Sequence, residues 1–226
     1  MTGETLKFRD VTYSYPKGEF TLRIDDLTLR ADEVTFISGD NGSGKTTLAK
    51  LMSGILKPVT GEIILMGEPS ANISLGEIGK KVGYLWQNPR QQLFAQSVIE
   101  ELTFTEEIKN PKMTREEKEE AYKSALSWLE YFDLAHLSAK SCFYLSHGEK
   151  QRLALAAVIA AGAGYLVLDE PTKGLDAKRK KALTDILRKL RDENKTGMSI
   201  ISHDEEFKAE LMERVVRLHK GVMADG

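Results

Sequence analysis

Residues 39–46, Gly39-Asp40-Asn41-Gly42-Ser43-Gly44-Lys45-Thr46, constrain this chain more than any other stretch. They match the eight-residue phosphate-loop pattern, which needs a strand before it and a helix after it. Both flanks are present: residues 34–38 form a short apolar, β-branched run, and residues 47–52, from Thr47 onward, read as helix. The glycines let backbone N–H groups turn inward onto phosphate oxygens, and the helix beginning near Gly44 adds the positive end of its dipole. Lys45 then reaches the β and γ phosphates, and the Thr46 hydroxyl suits a Mg²⁺ ion. The pattern points to a nucleoside triphosphate; alone it does not choose among motors, kinases and switches.

Around the loop the chain changes periodicity. Leu6-Lys7-Phe8-Arg9-Asp10-Val11 and Thr21-Leu22-Arg23-Ile24 alternate apolar with polar residues, as half-exposed strands do, with turn chemistry at Pro16-Lys17-Gly18 between them. Residues 61–66 and 82–85 predict further strands. From Ser97 to about Lys140 helix formers take over. Ala121, Ala125, Leu129 and Phe132 recur at helical spacing, and Glu116, Glu117, Glu119 and Glu120 crowd the front of that helix, where its dipole favours acids. That charge run reads as a solvated face. The last third predicts strands at 165–168, 198–202 and 215–218, with a helix over 177–194.

Strand and helix in alternation predict an α/β fold with a mostly parallel sheet. The domain reading is one unit over 1–226: a core of 1–96 and 141–226 with antiparallel strands at its N-terminal side, and an inserted α-helical subdomain at about 97–140. Thirty-two basic against 34 acidic residues leave a net charge of −2, which argues against bulk attraction to nucleic acid or anionic lipid. The single cysteine, Cys142, excludes an internal disulfide and a multi-cysteine metal site. The first residues lack the apolar core of a signal peptide. The longest apolar run, 153–168, contains Gly162 and Gly164 and is shorter than the roughly twenty residues of a spanning helix, so it predicts a buried helix feeding a buried strand.

A second chemical station narrows the reaction. Leu166-Val167-Leu168-Asp169-Glu170 is an apolar strand ending in two acids. Asp169 suits a hold on Mg²⁺, and Glu170, just past the strand, suits a base that polarises an attacking water.

Leu145-Ser146-His147-Gly148-Glu149-Lys150-Gln151-Arg152 leads into an apolar helical face of Leu153, Ala156, Ala157 and Ala160. With it the chain resembles the ATP-binding cassette (ABC) family over essentially its whole length. The parts stand in order: Tyr15 before a proline, the phosphate loop, Gln87 after a strand, Leu-Ser-x-Gly at 145–148, Asp169-Glu170, Gly174-Leu175-Asp176, and His203 after a strand. The resemblance implies a role for each. Tyr15 offers a ring face to adenine, with Tyr13 the weaker candidate. Gly39, Asn41, Gly42, Ser43, Gly44, Lys45, Thr46 and Thr47 hold the ATP phosphates; Thr46, Gln87 and Asp169 serve Mg²⁺. Glu170, His203 and Gln87 serve hydrolysis. Ser146, Gly148 and Glu149, the signature at 145–149, bind the γ-phosphate held by a second cassette, so two cassettes clamp two ATP head to tail. This sequence departs from the family's commonest pattern at His147, Glu149 and Lys173, and Lys173 is expected near the seam between subunits.

Gln87-Asn88-Pro89-Arg90-Gln91-Gln92-Leu93-Phe94, followed by Val98, Glu100-Glu101 and Phe104, is similar to cassettes of energy-coupling-factor (ECF) importers. That likeness implies uptake of a vitamin or a transition-metal ion in a prokaryote, with the chain peripheral on the cytoplasmic face of the membrane. It further implies a transmembrane coupling protein docked in a groove near Gln87–Phe104, where Leu93, Phe94, Val98 and Leu102 supply apolar surface, and indirectly a substrate-binding membrane protein. No nucleic-acid partner is expected. The alternative is the cassette of a conventional ABC importer or exporter. One motif set speaks against a ribosome-acting ATPase with two cassettes, and the short gap between phosphate loop and signature against a coiled-coil DNA-repair ATPase. Glu170 and His203 speak against a module that holds ATP without splitting it. The sequence reaches 221–226 just after its last strand, where many ECF cassettes continue into a C-terminal extension that helps dimerise; whether that extension is naturally absent or only missing from this sequence is left open, and a weak, ATP-dependent dimer is expected.

Overall fold

The computed structural model describes residues 4–16, 18 and 20–224, so Lys17 of the expected turn and the final Asp225-Gly226 lie outside the described residues. Among the described residues, ten strands form one mixed sheet in the order β5-β4-β1-β2-β10-β9-β3-β8-β7-β6. In chain order the strands are β1 (Glu4–Ser14), β2 (Thr21–Arg30), β3 (Val34–Ser38), β4 (Thr60–Leu65), β5 (Glu68–Pro69), β6 (Val82–Leu85), β7 (Tyr165–Asp169), β8 (Gly197–Ile201), β9 (Arg214–His219) and β10 (Val222–Ala224). The helices are α1 (Lys45–Met52), α2 (Leu75–Lys81), α3 (Val98–Lys109), α4 (Arg115–Tyr131), α5 (His147–Ala160), α6 (Ala177–Asn194) and α7 (Glu205–Leu211).

One half of the sheet is parallel: β9, β3, β8, β7 and β6 run side by side in the same direction. Residues of β3, β6, β7 and β8 are buried on both faces because both are covered, whereas β9 keeps Arg217 and His219 exposed. Phe36, Leu166, Leu168, Met198 and Ile200 face a core shared with α3, α4, α5 and α6. Ile37, Tyr165, Val167 and Ile201 face a second core with α1 and α2. The other half is antiparallel, β4 on β1 on β2, and there the alternation of one buried face holds with a phase change. Leu6 and Phe8 point inward, and so do Val11 and Tyr13. The shift occurs at Asp10, whose φ is 50°, beside Gly61, where a Cβ would stand 2.3 Å from the Asp10 carbonyl oxygen. A bulge of this kind inserts a residue and flips the pattern that follows it.

Four helices begin with a reciprocal capping box: Ser74 with Glu77, Ser97 with Glu100, Thr114 with Glu117 and Ser146 with Glu149. In each the hydroxyl accepts an orphan backbone N–H and the glutamate returns the bond. The acid-rich front of α4 is exposed as expected, and Ala125, Leu129 and Phe132 are buried.

Two expectations are corrected. The last strand is not at 215–218: Gly221 turns the chain, and β10 returns antiparallel to β9 and pairs with β2. Leu93, Val98 and Leu102 are not docking surface. All three are at most 9% exposed, because α3 turns that face into the core under α5.

Candidate active site

The nucleotide loop is built by close approach. Gly39 has φ 146°, and a Cβ there would stand 2.2 Å from the carbonyl oxygen of Leu218 on β9, so only glycine fits beneath the loop. The Gly221 N–H donates to the Ser43 carbonyl at 3.1 Å, tying the β9–β10 turn to the same loop. Gly44 caps α1 in the left-handed region, φ 106°, with no side-chain cap. The first-turn N–H groups of α1 therefore keep no side-chain partner from the chain and present a positive end to an anion. The Lys45 ammonium donates to the carbonyls of Gly39 (2.6 Å) and Asp40 (2.9 Å), arched over its own loop.

A cavity of about 420 Å³ opens over this loop, and its walls bring together Tyr15, Asn41, Gly42, Gly44, Lys45, Thr46, Thr47, Gln87, Asp169, Glu170 and His203. Tyr15 and Tyr13, the two aromatic candidates, separate cleanly. Tyr13 is 8% exposed in the core, and burial raises its pKa. Tyr15, one residue past β1, is 37% exposed on the cavity wall, with its hydroxyl 3.2 Å from Thr47 Oγ1. The Tyr13 and Tyr15 rings meet edge to face, 5.0 Å apart at 90°, which braces the Tyr15 ring at the cavity wall.

At the opposite wall, the Thr46 hydroxyl donates to Asp169 Oδ2 at 3.0 Å. Asp169 is 1% exposed, and burial pushes its carboxyl up despite the Thr46 hydrogen bond. A hydroxyl and a buried carboxylate are hard oxygen donors suited to Mg²⁺. Among the described residues no group of three His, Cys, Asp or Glu side chains gathers to hold a metal. Two protein oxygens, with phosphate and water for the rest, is how Mg²⁺ is ordinarily held.

Glu170 follows immediately with φ 56°, a strained backbone for a non-glycine residue. Its N–H donates to the Ile201 carbonyl at 2.8 Å, and its Oε1 lies 3.5 Å from His203 Nε2. His203 is anchored from behind by Asp204, which caps α7 through the Phe207 N–H (3.1 Å) and pairs with Lys180 at 2.5 Å. Gln87 is exposed at the mouth. The segment after it is shaped by Gln92, whose amide donates to the Tyr84 carbonyl (3.0 Å) and accepts from the Trp86 N–H (3.1 Å).

Not every expected site residue faces this cavity. Ser43 is 2% exposed, inside the loop, and Gly39 packs against Leu218. Ser146, Gly148 and Glu149 stand away from the cavity at the start of α5. The Ser146 N–H donates to Glu149 Oε2 at 2.7 Å, and Ser146 Oγ accepts the Glu149 N–H at 3.3 Å, which holds the Glu149 carboxyl below its usual range. Lys173 is exposed. One wall residue carries no signal in the sequence: Phe20, which closes the cavity beside Gly44, where a Cβ would meet its ring at 2.8 Å.

Comparison with known proteins agrees with this geometry. Residues 22–173 match the family described as ABC transporter. A protein of Pyrococcus abyssi is 36% identical over 216 residues, 96% of this chain and 80% of that protein. The energy-coupling factor transporter ATP-binding protein EcfA of Methanothermobacter thermautotrophicus is 37% identical over 224 residues, 98% of this chain and 70% of EcfA. Other relatives are much longer: the chain covers 37% of one from Caldanaerobacter subterraneus subsp. tengcongensis at 36% identity. Among solved structures, the dimeric post-hydrolysis state of the cassette MJ0796 with ADP and Pi superposes with a TM-score of 0.85 at 25% identity, covering 97% of both chains. CbiO1 of Clostridium perfringens, part of the ABC transporter complex cbiONQ, superposes at 0.79 and 29% identity over 99% of this chain and 88% of its own. The fold, the phosphate loop and the two acids at the end of β7 are those of an ATP-hydrolysing cassette, and the chain belongs to the ABC transporter family.

Proposed function

We propose that this chain is the ATPase subunit of an ECF-type membrane importer. In this reading it works as one of two cassettes that clamp two ATP head to tail and drive uptake of a vitamin or transition-metal ion. The carrying observation is a separation: Thr46, Gln87, Asp169, Glu170 and His203 line one cavity, while Ser146 and Gly148 stand outside it. A signature helix start that cannot reach its own nucleotide is available to a second cassette's.

Within one cavity the division of labour follows from position. The loop and α1 bind phosphate, and Tyr15 stacks on the base. Thr46 and Asp169 would hold Mg²⁺, with Gln87 nearby, and the ion would supply positive charge to the phosphates. Glu170 orients and polarises the attacking water, and His203 steadies its carboxylate. The γ-phosphate is the shared ligand of both cassettes, so its loss removes the contact that holds them together.

For the membrane partner, a cavity of about 350 Å³ lies beside the Gln87 segment, with Trp86, Phe94 and Glu101 on its walls. Phe94 is 56% exposed and stacks edge-on against Phe104 at 4.6 Å. The Glu101 carboxylate accepts the Phe94 and Ala95 N–H groups at 3.1 and 2.8 Å and so braces this ridge from beneath. An exposed aromatic ridge beside a groove suits an inserted helix. Likeness to EcfA and to CbiO1 supports an ECF-type partner. The test has two arms. With ATP and Mg²⁺, the Glu170→Gln variant should sediment as a dimer; a monomer at saturating ATP defeats the clamp. Co-expressed with an ECF coupling protein, the chain should reach the membrane fraction and Phe94→Asp should release it without slowing phosphate release; retention of the variant defeats the docking assignment.

A further inference from the structure

Gln151 is fully buried one turn into α5, yet it is a polar side chain with one of its two polar ends unmatched. Its Nε2 donates to the Glu170 carbonyl at 3.3 Å, while its Oε1 has no partner. A buried acceptor without a partner is costly. Methionine or leucine would fill similar space without that cost, so packing does not account for a glutamine here. What the amide does do is hold the main chain of Glu170, at φ 56° the one non-glycine residue of the cavity wall whose backbone is left-handed.

Three bonds fix that backbone. The Glu170 N–H goes to Ile201, and the Glu170 carbonyl accepts both the Lys173 N–H at 3.2 Å and the Gln151 amide. The first two come from β8 and from the loop itself; the third comes from α5. Alpha-5 is a firm base for it, since Leu153, Ala154, Leu155 and Ala156 behind Gln151 are 0% exposed. The same helix also lies close to the loop nearer its start, where a Cβ on Gly148 would be 3.9 Å from the Gly174 carbonyl oxygen. The next residue, Arg152, donates to the Phe132 carbonyl at 3.0 Å, at the end of α4.

We propose that Gln151 is a positioning residue for Glu170: from α5 it fixes, through the Glu170 carbonyl, the left-handed backbone that aims the Glu170 carboxylate at the attacking water. The assignment rests on the paired-cassette reading, and it adds a consequence to it. The helix whose first turn meets the other cassette's γ-phosphate also sets the base in its own cassette, so a shift of α5 on closure reaches Glu170 along one rigid element.

Steady-state ATP hydrolysis of Gln151→Met tests this. The expected result is a fall in kcat of tenfold or more, with KM for ATP within twofold of the parent and an unchanged or raised Tm. In a Gln151→Met/Glu170→Gln double variant the ATP-dependent dimer should persist, because clamping uses Ser146 and the phosphate loop. An unchanged kcat overturns the assignment. So does loss of ATP binding or of the folded state together with kcat, if Gln151→Leu behaves the same way, since that is what a purely structural residue does. If Glu170→Gln alone fails to dimerise with ATP, the fault lies with the paired-cassette reading and not with Gln151.

Discussion

Two helix starts in this molecule do opposite things with the same chemistry. Alpha-1 begins at Gly44, which has no side chain to cap it, and no acid stands in its first turn. Alpha-5 begins at Ser146, with a complete capping box and Glu149 ionised in its first turn. A helix start is electropositive because its first N–H groups lack partners. At α1 they stay open, and Lys45 adds a full charge. At α5 the chain has already satisfied part of them and placed a negative charge beside the rest. The difference sets an order. In the paired-cassette reading proposed above, the open end captures nucleotide in a single chain, and the capped end binds phosphate only once a second cassette presents it at close range.

The largest expected effect is at the open end. Lys45→Met should weaken ATP binding by a single chain about 100-fold, close to 3 kcal/mol, in titrations with a fluorescent ATP analogue. Equal binding by the variant would mean that α1 and its loop do not carry capture. Ser146→Ala should leave that single-chain affinity within twofold and cut hydrolysis about tenfold. If affinity and turnover fall together, the two helix starts are not divided as described.

Asp169 probes the wall facing α1. Burial raises its carboxyl pKa, so the folded chain keeps a proton that the unfolded chain has released. Stability should therefore fall as pH rises from the ordinary aspartate value near 4 up through the raised folded value. Asp169→Asn should remove that dependence and raise Tm by about 3 °C near neutral pH, or about 1 kcal/mol. It should also lose Mg²⁺-dependent hydrolysis. A lowered Tm would mean that the carboxylate is already well compensated. The smallest effect falls at the capped end. Glu149→Gln keeps an acceptor for the Ser146 N–H but removes the charge, and should tighten the ATP-dependent dimer about threefold, near 0.7 kcal/mol. A weaker dimer by sedimentation would show that the charge is not a brake.

The parts legible in the sequence are those whose chemistry is local. The phosphate loop is fixed by residues within eight positions of one another, and β7 with its two acids by five apolar-to-acidic steps. Harder to see were short elements and shared space. Alpha-2 and α7 have seven residues each and β10 three, too few to establish a period. Leu93, Val98 and Leu102 look like surface when only their place after Gln87 is considered, and become core when α3 folds under α5. Phe20 has no neighbours in sequence that announce it, and Gln151 stands in the 145–152 stretch with nothing there to tie it to Glu170. Each matters through one residue far along the chain, Gly44 in the first case and Glu170 in the second.

The phosphate loop near the front of the chain rests on β9 and on the turn that follows it: Gly39 lies against the Leu218 carbonyl, and the Gly221 N–H is bonded to Ser43. During synthesis those supports leave the ribosome long after the loop itself. The nascent chain therefore holds its nucleotide loop unsupported until β9 and the turn after it have emerged, and contacts this distant in sequence are slow to form. ATP binding then waits on β9 and reports that the strands from β3 to β9 have come together.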